Sequence, residues 1–146
     1  MRTVIGAILL LASNPVFAQN KPIAATISQG DNQKIDALVD PIFKKLSSGD
    51  TRGAVNGFLG ESPLFGGRTT ELENLTAQID TSIRLYGPIS NCEFSEFEDR
   101  SGLVQQRLYL CQHQNFLTRW HVTVGKATGG WLPVALSFND QITSGF

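Results

Sequence analysis

The feature that most constrains this chain is a single change of hydrophobic period at Gly87-Pro88. Upstream, apolar residues recur at helical spacing; downstream, they recur at every second position. A chain that changes period once, helices first and strands second, is expected to form an α+β domain with its helices packed on one face of an antiparallel sheet. The junction itself supplies the break, because glycine ends a helix readily and proline cannot continue one.

Three helices are predicted upstream. Ile35, Leu38, Val39, Ile42, Phe43 and Leu46 share one face, with Asp31 or Asn32 as the cap and Gly49 as the stop. Pro41 removes a backbone donor inside that stretch, so a kink or a restart capped by Asp40 is expected. A short second helix, capped by Asp50 or Thr51, places Ala54, Val55, Phe58 and Leu59 on one side. Residues 61–68 read as a loop by their Pro and Gly content. Thr70 and Glu73 have the spacing of a capping box for a third helix carrying Leu72, Leu75, Ile79, Ile83 and Tyr86.

Downstream, four strands are predicted at residues 91–98, 103–111, 117–126 and 131–139, joined by connections short enough for an antiparallel meander. A three-residue turn, Ala127-Thr128-Gly129, pairs Val124 with Leu132, Val122 with Val134 and Trp120 with Leu136. The first hairpin turns at Ser101-Gly102. Folding it there sets Glu96 opposite Arg107, Phe94 opposite Tyr109 and Cys92 opposite Cys111, so a Cys92–Cys111 disulfide is predicted. A four-residue loop would place the cysteines at a narrow pair, whereas a two-residue loop would not.

Ahead of the first helix, Met1 to Ala18 has the form of a signal peptide: Arg2, a short apolar run from Val4, a break at Asn14-Pro15, and small side chains at Val16 and Ala18. The run is far short of the ~20 residues a membrane span needs. The expected organisation is a signal peptide at 1–18, a flexible lead-in at 19–30 and one domain at 31–146. The expected location is periplasmic or secreted, with no membrane span after cleavage, and export favours an oxidised cysteine pair.

Charge and motif content exclude several function classes. Lysine and arginine total 12 against 13 acidic residues, which argues against nucleic-acid binding. Glu93, Glu96, Glu98 and Asp99 lack the ligand spacing of a calcium loop and read as a solvated strand edge, with Glu96 meeting Arg107. No metal centre or cofactor is predicted. His113 falls in a polar turn and is expected to be exposed, and His121 is out of phase with the core residues Trp120 and Val122. No serine lies in a nucleophile elbow. Trp120, Phe138, Phe58 and Tyr86 are at core phase, while Phe94, Tyr109 and Trp131 are expected on the outer sheet face as an interface.

Residues 116–140 (FLTRWHVTVGKATGGWLPVALSFND), the Ser48-Gly49-Asp50 junction and the Leu85-Tyr86-Gly87-Pro88 helix end resemble the nuclear transport factor 2-like superfamily, in particular its exported bacterial members. The resemblance covers residues 34–146. It implies a curved sheet wrapped around the helices as a cone, often with a pocket at the open end, and dimers formed through the outer sheet face. The enzymes of that superfamily carry a buried Asp or an Asp/His pair. Here the inward polar positions are Ser95, Gln106 and Thr118, which can orient a ligand but are poor general bases. The expected function is therefore a non-catalytic binding or interaction module, with Trp120, Tyr86 and Gln106 as its pocket wall. Its partner would be a small apolar ligand, an envelope protein or a second copy; the alternative is a small isomerase or hydrolase using the cone pocket.

Overall fold

The computed structural model describes residues 27–143. The expected signal peptide, and most of the expected lead-in, lie outside the described residues.

Helix α1 spans Gln29–Ser47 and begins ahead of the expected caps. Ser28 takes the capping role instead of Asp31 or Asn32, its Oγ accepting from the Asp31 N–H at 3.1 Å. Pro41 does not restart the helix, and Asp40 caps nothing. Pro41 and Ala37, whose carbonyl loses its i+4 donor, both lie on the exposed side, where water can take the bond. Gly49 ends the element with φ 83°, and the Asp50 N–H returns to the Lys45 carbonyl at 2.8 Å.

Helix α2 (Thr51–Val55) is capped by Asp50, whose carboxylate accepts from the Gly53 N–H at 2.9 Å. It runs into a π-helical turn at Asn56–Gly60, and Ala54, Val55, Phe58 and Leu59 are buried as the sequence pattern requires. A 3-10 turn at Pro63–Phe65 leads to α3 (Thr69–Tyr86). The Thr70–Glu73 capping box does not form. The helix starts at Thr69, so Thr70 already has helical backbone and cannot adopt the extended cap conformation. Gly87 closes α3 with φ 88°, and a Cβ there would lie 2.6 Å from the Cβ of Gln114, so backbone and space both require glycine.

The strands β1 (Ile89–Arg100), β2 (Val104–His113), β3 (Leu117–Ala127) and β4 (Gly130–Asn139) form one antiparallel sheet in the order β1-β2-β3-β4, not closed into a barrel. Helix α1 lies on its inner face. Ile35, Val39, Ile42 and Leu46 are buried in one core with Trp120, Val122 and Val124. The Phe43 ring lies tilted against Tyr109 with centroids 4.3 Å apart and meets Trp120 edge-on at 6.2 Å. Each such buried side chain contributes about 2 kcal/mol, and it is the register of β2 and β3 that brings these residues under α1.

Two hairpin registers differ from expectation, each through a turn and a bulge. The β3–β4 turn has two residues, Thr128 and Gly129, closing the Ala127–Gly130 pair, and an irregularity follows at Val134. Val124 therefore pairs with Pro133, Val122 with Leu136 and Trp120 with Phe138. Leu136 and Phe138 still face the helices because the two offsets total an even number. The β1–β2 loop has three residues, Ser101 to Leu103, so Arg107 pairs with Phe97 and Glu96 with Leu108, rather than with each other. An extra residue at Ser95 cancels that shift. Beyond it Phe94 pairs with Tyr109 and Cys92 with Cys111, as expected.

Candidate functional site

The helices cover β2 to β4 more completely than β1. On the inner face of β1, Phe94 and Phe97 are 50% and 51% exposed, their rings stacked with centroids 6.5 Å apart. Between them and α1 runs an open groove of about 560 Å³, floored by Arg107 and Tyr109 and walled by Asn32, Asp36 and Asp40. It continues past Cys92 and Asp40 toward Lys44, Ser47 and Asn91. Phe94 meets the buried Tyr109 edge-on at 5.6 Å, so the aromatic lip is anchored to the core.

The groove floor is polar, and its buried cation is paired within the fold. Arg107 is almost fully buried and reaches across from β2 to α1, where Asp36 takes its Nη1 in an ion pair. Its Nε donates to Gln105 Oε1 at 2.5 Å, and its guanidinium lies 5.9 Å from the Phe94 ring centroid. Burial pushes the Tyr109 phenol above its ordinary value, against the opposing pull of the neighbouring Arg107. A buried guanidinium needs such partners, since an unpaired charge at this depth would cost several kcal/mol. The floor thus presents fixed hydrogen-bonding groups beneath an apolar lip, the usual arrangement of a recognition surface.

The residues expected to wall a pocket do not converge. Trp120 is completely buried, with its Nε1 donating to Thr118 Oγ1 at 2.8 Å. Gln106 points to the outer face, where its amide lies 3.4 Å from Thr123 Oγ1; the buried inward neighbour is Gln105. Tyr86 sits at the end of α3, stacks on Phe116 at 5.1 Å and donates to Asp140 Oδ2 at 2.6 Å, which raises its phenol pKa. Among the inward polar candidates Thr118 is buried, whereas Ser95 is the exposed bulge residue.

The interface aromatics also change sides. Tyr109 lies in the core, Phe94 shares its face, and Trp131 packs against the same core, so none supports an outer-face argument. Lys126 lies over the Trp131 ring and pairs with Asp31 at 2.8 Å, a contact that with the nearby indole holds the Asp31 carboxyl below its usual range. The Cys92–Cys111 disulfide is present, with Cα atoms 4.0 Å apart, and Cys92 lines the groove.

His113, the last residue of β2, is buried, contrary to expectation, because Gly87 and Thr118 close on its ring. Its Nδ1 lies 2.8 Å from the Gly87 carbonyl, which can only accept, so the ring proton sits there. Nε2, 2.9 Å from Thr118 Oγ1, then accepts from the hydroxyl. Thr118 and His113 have the geometry of a nucleophile and its base, yet both are sealed in the core, and the hydroxyl is also held by Trp120. The chain of bonds ties the end of α3 to β2 and β3. His121 is partly exposed, and burial followed by Arg119 lowers its pKa against the opposing Glu96 and Glu98. Among the described residues no three His, Cys, Asp or Glu side chains group as a metal site requires. No described helix is long and apolar enough to cross a membrane.

Sequence reasoning missed Arg107, Asp36 and Phe97 as site residues. Arg107 shares the phase of Tyr109 and Cys111, which was the available signal for its inward direction. No family model, curated protein or solved structure matches the chain.

Proposed function

We propose that this chain is an exported, non-catalytic binding module that receives its partner in the groove between α1 and β1. The carrying observation is the pair Phe94 and Phe97, half exposed and stacked above the satisfied Arg107–Asp36 floor. Adjacent large apolar side chains left open beside a polar rim are the ordinary mark of a surface that a partner covers. Export is supported by the signal-like segment at 1–18 and by the disulfide, since oxidised cysteine pairs persist outside the reducing cytosol. Membership of the nuclear transport factor 2-like superfamily belongs to the same proposal and rests on the sequence segments that carry the resemblance.

A two-dimensional NMR titration with the neutral dye N-phenylnaphthylamine tests the groove. The expected result is a set of shifts at Phe94, Phe97, Arg107 and Tyr109, reduced in Phe94→Ser. Shifts confined to the separate apolar residues Leu85, Phe116 and Leu117, also exposed, would overturn the assignment.

A further inference from the structure

We propose that the free edge of β1 accepts an extended basic segment of a partner protein, which adds to the sheet as another strand. This inference rests on the groove being the binding surface and names what fills it. The first support is backbone geometry. Cys92 and Cys111 face each other with Cα atoms 4.0 Å apart, the spacing of a narrow pair that exchanges no backbone hydrogen bonds. The N–H and C=O of Cys92 therefore point away from β2, and alternation gives Phe94 the same direction. β1 is an edge of the sheet, and no described strand pairs with that side. The disulfide pins this edge to β2, so its donors and acceptors are held in place before a partner arrives.

The second support is the sorting of side chains across β1. Phe94 and Phe97 pair with the inward residues Tyr109 and Arg107. Glu93, Glu96 and Glu98 pair with Leu110, Leu108 and Gln106 on the outer side, and all three glutamates are exposed. A strand laid along β1 would alternate between the two faces as β2 does, with Ser95 left over as the extra residue. Its inward side chains would enter the groove against the two phenylalanines, and its outward side chains would face three carboxylates. Apolar residues alternating with lysine or arginine satisfy both faces.

The alternatives are weaker on the same observations. A second copy pairing through β1 would set carboxylates against carboxylates, because the strand holds Glu93, Glu96, Glu98 and Asp99 against Arg100 alone. The opposite edge is blunted. In β4 Pro133 has no N–H and its carbonyl accepts from Ser62 Oγ at 2.8 Å, and the strand carries no carboxylate to meet a basic segment.

The test uses the oxidised protein and a fluorescent synthetic peptide of alternating lysine and valine. Two controls accompany it: the same peptide with glutamate for lysine, and one N-methylated at alternate residues so that it cannot pair as a strand. The proposal expects binding of the lysine peptide, with new hydrogen-exchange protection at the Cys92 and Phe94 amides and no binding of either control. The triple change Glu93→Gln, Glu96→Gln, Glu98→Gln should weaken binding about tenfold. N-methylated peptide binding as well as the parent would overturn strand addition, as would protection mapped away from β1. No peptide binding while N-phenylnaphthylamine still shifts the groove residues would sink this inference alone. Failure of both probes at the groove would sink the binding-module reading as well.

Discussion

Reducing the Cys92–Cys111 bond should expose how much of the domain's stability depends on tethering its edge strand. The bridge joins residues 19 apart in sequence. Closing a loop of that length in the unfolded chain removes enough entropy to stabilise the fold by about 3 kcal/mol. At roughly 4 °C per kcal/mol for a domain of this size, the melting temperature should fall by about 12 °C on reduction. Urea unfolding followed by tryptophan fluorescence, with and without reductant, measures the loss directly, because Trp120 is wholly buried and reports on the core. The urea dependence should also steepen in the reduced form, since the uncrosslinked unfolded chain exposes more surface. Cys92→Ser should reproduce the loss without reductant, as Cys92 is only partly buried and leaves little void. A loss below about 1 kcal/mol with an unchanged urea slope would refute the reasoning. It would mean that the hairpin around Ser101 to Leu103 already holds the two strands together in the unfolded chain.

Three further outcomes follow from local geometry. Gly87→Ala should cost about 2 kcal/mol in thermal unfolding, since it forces a Cβ onto φ 88° and against Gln114. A cost near zero would show that the α3–β1 junction relaxes. His113→Phe keeps a ring but strips partners from the Gly87 carbonyl and the Thr118 hydroxyl, and should cost about 2–4 kcal/mol by urea unfolding; a neutral result would remove the network's structural role. Because burial raises the Tyr109 phenol above its ordinary 10.0, the unfolded chain loses that proton first. The associated stability is complete below about pH 10 and is lost as pH rises through the folded-state value. Tyr109→Phe should therefore flatten the alkaline limb of the stability profile, and an unchanged slope would contradict the assignment.

The fold was legible because it depends on periodicity summed over many residues. The helical face from Ile35 to Leu46 and the strand phase of Trp120, Val122 and Val124 agree with burial, Leu38 alone being only partly buried. Caps and turns were less legible, since each is decided by one or two residues. Ser28 takes the cap expected of Asp31 or Asn32, and Thr70 loses its role because the cap position falls two residues earlier, at Arg68. The site was largely hidden for a different reason. Arg107 is bound by Asp36, a residue 71 positions away on another element, and no local spacing encodes that pair. His113 looked exposed by its polar neighbours, and only the approach of Gly87 and Thr118 buries it.

Phe97 illustrates the hidden part most sharply, and it can be tested. Phe94 and Phe97 are three residues apart, so an unbroken strand would put them on opposite faces. The bulge at Ser95 puts both inside, and it likewise puts Glu93 and Glu96 together outside. The segregation of aromatic from acidic side chains on β1 thus depends on one unpaired residue. Deleting Ser95 should nevertheless be mild. It would make Phe94 and Glu96 consecutive, as their partners Tyr109 and Leu108 already are, so every existing pair and the disulfide could persist in a regular strand. The expected change in urea stability is within about 1 kcal/mol, with the disulfide still forming. Deleting Glu98 cannot keep every pair: residues 99 and 100 exchange faces, the three-residue loop is broken, or Ser95 enters the ladder opposite Leu108 and turns Phe97 outward, so a distinctly larger loss is expected. Equal losses from the two deletions would show that the bulge is not where the register slack of this hairpin resides, and the shared face of Phe94 and Phe97 would need another cause.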